Sequence, residues 1–231
     1  MLSRWDKLPP QMRTEQVRPY WDYLNERRIQ LAVKRFFDVI LSASALFVLV
    51  LPMLIIAICI RLDSNGPALY RQERVTRDAR QFHIHKFRTM IVGADKVGST
   101  VTAAGDSRIT RVGAFLRSTK LDELPQLLDV FRGDMSLVGT RPEAPEYVNR
   151  YCNEYMATLL LPAGITSEAS IRFLKEEEML GEAEDIDEAY LNKILPEKMK
   201  WNLLSLKHFS IWNDLRILGH TLSTVLFDER K

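Results

Sequence analysis

Residues 39–60, VILSASALFVLVLPMLIIAICI, run for 22 positions without a charged side chain. Drawn as a straight helix the run is about 33 Å long, enough to cross a hydrocarbon core of about 30 Å. Pro52 divides it into 13 residues before and 8 after, and a mid-helix proline removes a hydrogen bond and kinks the axis. Both flanks are basic. Arg27, Arg28, Lys34 and Arg35 precede the run, and Arg61, Arg71, Arg74 and Arg77 follow it. Cationic flanks favour the cytoplasmic face, so neither end is marked for export. Two architectures stay open on these grounds: a single transmembrane anchor, and a helix that enters, breaks at Pro52 and returns to the same face. The second needs the freed carbonyls satisfied nearby, and Ser42 and Ser44 lie far from the break. Either way the run ties the chain to a membrane.

Around this segment the chain is ordinary globular protein. Its 231 residues suffice for one domain, or one and a half, with a sizeable core. Charged residues at 27% and hydrophobic residues at 46% exclude a disordered or fibrous chain. Thirty-two basic residues against 30 acidic ones give a net charge of +2, without the field of a nucleic-acid binder. Ten glycines and ten prolines are few for an all-β protein, so helices should dominate. Two cysteines, Cys59 and Cys152, make no disulfide framework and point to a reducing compartment. The opening MLSRWDKLPPQMR has no apolar core of the kind a cleaved signal peptide carries. A mean hydropathy of −0.13 averages the apolar run away.

Downstream of Gly66-Pro67, residues 68–75 and 81–87 read as two short strands, with Phe82 and Ile84 alternating against His83 and His85. The histidine pair reads as a solvated strand face, since no third metal ligand stands near it. Residues 90–108 read as a small, polar surface loop. Helices are expected over 111–119, from near Pro125 to Gly133, over 147–161, and as one amphipathic stretch over 201–227. That last helix suits core packing and a membrane interface about equally well, given Trp201 and Trp212. Eight acids between Glu176 and Glu188 lack the spacing of a calcium loop and read as a solvated face.

The densest chemistry lies in RITRVGAFLRSTKLDELPQLLDVFRGDMSLVGTRP, residues 108–142. Asp122 and Glu123 stand immediately before a helix, whose N-terminal N–H groups and dipole suit an anion. Arg108, Arg111, Arg117, Lys120, Arg132 and Arg141 surround them in sequence. Two acids among fixed cations fit phosphoryl transfer: one carboxylate attacks phosphorus, one holds Mg²⁺, and guanidinium groups neutralise the phosphate oxygens. The same residues also fit a helix cap at Asp122 with surface ion pairs around it.

KRFFD at 34–38, the proline-divided apolar run, YRQERV at 70–75, KFRTM at 86–90, LDELPQLLDVFRGDMSLVGTRP at 121–142 and AGIT at 163–166 occur in this order. Together they resemble the bacterial sugar transferase family, the monotopic phosphoglycosyl transferases. A weaker echo is SIWNDLRIL at 210–218. The resemblance implies a mostly helical α+β fold, a re-entrant helix, a small strand pair and interfacial amphipathic helices. It implies transfer of a phospho-sugar from a nucleotide diphosphate sugar, usually a UDP-sugar, to polyprenol phosphate with Mg²⁺, at the cytoplasmic face of the bacterial inner membrane. Carried over by residue, Asp122 becomes the nucleophile, Glu123 the metal-binding partner and Pro52 the membrane hinge. Lys86, Arg88, Arg117 and Arg141 fall in or beside the phosphate site. The expected divisions are an extension over 1–33, the re-entrant helix over 34–62, a catalytic domain over 63–200 and a C-terminal helix over 201–231.

The chain departs from the family pattern in places. Leu51 precedes Pro52 where the family often has serine, Thr76 and Ala79 stand where turn glycines are usual, and Thr140 replaces a proline. After AGIT the chain reads SEASIRFLKEEEM, so Arg172 takes the place of a phosphate-contacting arginine two positions early. The donor sugar is not legible, and neither is the oligomeric state, so a homo-oligomer stays open. The competing reading is a catalytically silent, membrane-anchored scaffold of a glycan-assembly complex; the presence of both acids argues against it.

Overall fold

The computed structural model describes residues 2–94, 106–174 and 185–227. After a short helix α1 (Arg18–Asn25), one element dominates: α2, Arg28–Asp63, 36 residues long and about 54 Å at 1.5 Å per residue. Its middle is bare, with Phe47 84% and Val48 70% exposed. A soluble protein would bury such a face, and among the described residues this is one helix long and apolar enough to cross a membrane. The expected break at Pro52 is not a break in the helix. Helical backbone continues through it, and the proline removes one rung without ending the ladder.

Both ends of α2 are tied to the same globular body. At the N-terminal end, Lys34 Nζ meets Asp214 Oδ2 at 2.6 Å. Arg35 donates to the carbonyls of Val130 (2.6 Å) and Phe131 (2.9 Å). Asp38, buried, accepts from Ser136 Oγ (2.8 Å) and the Leu137 N–H (3.1 Å). At the other end, Asp63 Oδ2 accepts from the Val112 N–H at 3.0 Å. Arg88 closes the C-terminus by donating to Ser64 O (2.7 Å), Ser64 Oγ (3.0 Å) and Asn65 O. These contacts satisfy carbonyls that a helix end leaves open.

Strands β1 (Leu69–Thr76) and β2 (Arg80–Phe87) form the expected antiparallel pair, Leu69 opposite Phe87 and Thr76 opposite Arg80. Asp78 and Ala79 take positive φ in the turn, where glycine is the usual residue. Ser3 Oγ donates to Asp78 Oδ2 at 2.7 Å and pins that turn. Helix α3 (Arg111–Ser118) starts on Thr110, whose side chain accepts the Gly113 N–H. Helix α4 (Gln126–Arg132) ends at Gly133 with φ +96°.

A second, parallel pair joins β3 (Met135–Val138) to β4 (Ala163–Thr166). Strands of four residues show too little periodicity to be anticipated. Their glycines explain two of the motifs: a Cβ on Gly164 would lie 2.1 Å from the Gly139 nitrogen, so the backbones cross where only glycine fits. The helix expected over 147–161 is instead α5 (Pro145–Val148) and a 3₁₀ run, Tyr155–Leu160. Helix α6 (Glu168–Arg172) follows β4. Of the acidic stretch, residues 175–184 lie outside the described residues, as do 95–105 of the expected loop. Helix α7 (Ile186–Ala189) leads through a π-turn at Tyr190–Ile194 into α8 (Leu195–Lys207), and α9 is Ile211–Phe227. The single helix expected over 201–227 is thus two, divided where Phe209 turns into the core.

The first thirty residues are no appendage. Leu8, Met12, Val17, Tyr20 and Leu24 share one apolar cluster with Leu160, Leu203, Leu206 and Phe209. The N-terminal residues and α8 therefore share one core.

Candidate active site

Lys120 adopts a left-handed conformation, φ +54°, which turns the chain out of α3 into a 3₁₀ turn, Leu121–Glu123, carrying the acids. The dyad was expected before free helix N–H groups. Of those donors, Leu127 N already bonds Leu124 O and Leu128 N bonds Pro125 O. The cations for an anion come from side chains instead. Asp122 does not cap α4, which has no side-chain cap.

The two acids have opposite surroundings. Glu123 Oε1 receives Lys86 Nζ at 3.3 Å and Arg141 Nη2, and Oε2 receives Arg141 Nη1 at 3.2 Å. Burial alone would raise its pKa, but Arg141, Lys86 and Lys120 overcome it and hold the carboxyl well below the usual carboxylate range. Asp122 is 8% exposed and makes no side-chain hydrogen bond or ion pair among the described residues. Burial pushes its carboxyl up from 3.8, with Lys86 opposing and the Glu123 charge adding to the rise. Lys86 is driven down by burial, against the attraction of Glu123.

Two cavities meet at the dyad. One, about 570 Å³, is lined by Asp122 with Lys86, Arg108, Arg117, Gln72 and Tyr70. The other, about 410 Å³, is lined by Glu123 with largely apolar side chains. Arg141 and Lys198 belong to both walls.

Of the residues expected at the site, Asp122, Glu123, Lys86, Arg117 and Arg141 are brought together. Two are not. Arg88 lines the larger cavity, but its guanidinium group is committed to the end of α2, where its Nε is buried without a partner among the described residues. Arg172 pairs with Glu168 at 2.9 Å and stacks 3.7 Å over the Trp201 ring, in neither cavity wall. The shift by two positions put it on the outer face of α6.

Sequence reasoning missed a buried network behind Arg141. Glu143 Oε1 accepts from Tyr190 Oη at 2.6 Å, and Lys198 Nζ lies 3.0 Å from that hydroxyl and 3.5 Å from Glu143. Burial would raise Glu143, but Lys198, the Tyr190 hydrogen bond, Arg74 and Arg141 bring it below its ordinary value. Glu143 follows the TRP motif directly and was legible as a polar group; Tyr190 and Lys198 are far away in sequence and carried no signal. His85 was also misread. It is buried, with Nδ1 2.6 Å from Asp129 Oδ1 and its N–H on Asp129 Oδ2 at 2.9 Å. The pair locks β2, which carries Lys86, to α4. His83 is exposed as expected.

Among the described residues no cluster of three or more His, Cys, Asp or Glu side chains could hold a metal by itself. A Mg²⁺ ion arriving with a diphosphate needs only one or two carboxylates, with phosphate and water oxygens for the rest. The Asp122 carboxylate and Glu123 Oε2 meet that requirement, so the residues fit the ion.

The site is a buried, cation-flanked acid pair in a chain with an exposed apolar helix, and comparison identifies the family. The bacterial sugar transferase profile matches residues 29–228, and the chain belongs to that family. It is 34% identical over 197 residues to a UDP-N-acetylgalactosamine-undecaprenyl-phosphate N-acetylgalactosaminephosphotransferase of Aeromonas hydrophila, covering 84% of this chain and 44% of the relative. It is 37% identical over 197 residues to the UDP-glucose:undecaprenyl-phosphate glucose-1-phosphate transferase of Caulobacter vibrioides, covering 84% and 69%. It is 34% identical over 209 residues to the UDP-galactose-lipid carrier transferase of Erwinia amylovora, covering 84% and 40%. The chain spans less than half the length of the first and third.

Proposed function

We propose that the protein transfers a sugar 1-phosphate from a UDP-sugar to undecaprenyl phosphate through a phospho-aspartyl intermediate, at the cytoplasmic face of the bacterial inner membrane, and so starts a lipid-linked glycan. The observation that carries this reading is the division of labour in the dyad: a buried Asp122 that lines the polar cavity and bonds to no side chain among the described residues, beside a Glu123 held by Lys86 and Arg141. A largely buried carboxylate flanked by cations is a competent nucleophile. Its oxygen forms a bond to the sugar-bearing phosphorus, and the bond to the leaving UMP oxygen breaks. An oxygen of the lipid phosphate then attacks the same phosphorus, the diphosphate bond forms and the Asp122 carboxylate is released. Lys86, Arg117 and Arg141 offset the repulsion between nucleophile and diphosphate. Glu123 and Asp122 would hold Mg²⁺, which when bound supplies further neutralisation of the diphosphate.

The membrane helix enters and leaves one leaflet in this reading. Its support is that Asp38 and Asp63 both bond to the same body, which a helix crossing to the far side could not do. The three relatives act, by name, with different sugars, so the donor is an open choice among them. Purified protein in nanodiscs, offered UDP-glucose, UDP-galactose and UDP-N-acetylgalactosamine with undecaprenyl phosphate and Mg²⁺, should release UMP with at least one donor. No UMP from any of them, with intact folding, would overturn the reading.

A further inference from the structure

The 410 Å³ cavity is the second opening to the dyad, and the polar donor does not suit it. Leu121, Leu124, Leu127, Ile165, Ile171 and Phe173 form its apolar wall. The hydroxyls in that wall are already bonded elsewhere. Thr166 and Thr221 meet at 2.8 Å, Thr224 donates to His220 O at 2.9 Å, and Ser170 faces Ser167 at 2.9 Å. What remains for an occupant is hydrocarbon, which a nucleobase or sugar would desolvate against without recompense. The charged residues of the same wall change the chemistry: Lys120 and Arg141, whose charges act on Glu123, and Lys198. The cavity also adjoins the membrane-facing elements. Leu121 and Leu124 join Met53, Ile56 and Ala57 of α2 around the buried cluster of Ile60, Phe87 and Leu116, and α9, which supplies Thr221 and Thr224, exposes Leu222 at 62%.

An apolar cavity with cations in its wall fits an amphiphile with an anionic head. We infer that this cavity holds the first isoprene units of the acceptor lipid, with its phosphate at Arg141 and Lys198. The inference rests on the phosphoglycosyl-transfer reading and deepens it. Donor and acceptor then approach the dyad through separate openings, with Asp122 in one wall and Glu123 in the other. Lys198 becomes an acceptor-binding residue, itself held by Tyr190 and Glu143.

The test fills the cavity from its apolar wall. Ile171→Trp and Leu127→Trp should raise the KM for undecaprenyl phosphate about tenfold, while the KM for the UDP-sugar changes by less than about twofold. In parallel, a prenyl phosphate with a photoreactive group on its first isoprene unit should label wild-type protein within residues 119–127 or 165–174. Equal changes in both KM values in the folded variants, or labelling confined to the 570 Å³ cavity, would overturn the assignment. The photolabel still decides if a tryptophan variant fails to fold. Absence of turnover by the wild type with every donor would sink the reaction reading instead, and the label would still report on the cavity.

Discussion

Burial raises the Asp122 carboxyl, whereas the cations around Glu123 more than reverse the same effect. The sign for activity follows from the nucleophile being the ionised form. The rate should fall as pH drops through the raised Asp122 value, so the acid limb of the pH–rate profile lies above 3.8. Lys86 is the leading cation that opposes the rise, and Lys86→Met should shift that limb to still higher pH in whatever activity remains. An unmoved limb would separate Lys86 from Asp122. The sign for stability is opposite. A raised acid favours the neutral form in the fold, so its contribution is present below the unfolded value and lost as pH rises through the folded one. Asp122→Asn should therefore unfold at a higher temperature than wild type at neutral pH while losing turnover by orders of magnitude, a trade expected of a strained functional group. A lower melting temperature would contradict the burial argument. Glu123→Gln removes the countercharge of Arg141 and Lys86, and activity should drop steeply with the fold intact; full activity would deny Glu123 any role with cations or metal. The acids were legible because the motif is dense. Their unlike environments were not, since Arg141 and Lys86 approach from separate elements.

At the scale of elements, the KRFFD motif reads as a clasp. Positions 34, 35 and 38 face the domain on one side of α2, while Phe36 and Phe37 face outward. Asp38→Ala leaves the Leu137 N–H without its acceptor and the Ser136 hydroxyl with only the Val138 carbonyl, a loss of about 1–3 kcal/mol. It should lower the melting temperature in detergent. No change would mean that the clasp contributes nothing to stability. The hairpin and helices α3 and α4 were legible from alternation, a helical apolar stripe and the Gly133 stop. The β3–β4 pair and the division at Phe209 were not, because tertiary packing decides them: Gly139 and Gly164 cross backbone to backbone, and Phe209 is drawn into a core shared with the N-terminus.

For the molecule as a whole, apolar surface and anchoring ends point the same way. The apolar run was plain in the sequence, but its topology was not, since length satisfies a span and a re-entrant helix alike. Single cysteines near residues 30 and 66, with Cys59 and Cys152 replaced, should both resist an impermeant thiol reagent added outside the cell; labelling of one site only would establish a span. The N-terminal residues looked separable in sequence because their partners, Leu203 and Phe209, lie at the far end of the chain. The two cavities meet at the Asp122–Glu123 pair, and the covalent step at Asp122 is the claim on which the rest depends. Wild-type protein given a radiolabelled UDP-sugar without lipid should release at most one UMP per site and retain the phospho-sugar on the peptide containing Asp122, a signal absent in Asp122→Asn. If UMP appears only once undecaprenyl phosphate is present, and no labelled peptide can be trapped, direct transfer replaces the covalent route.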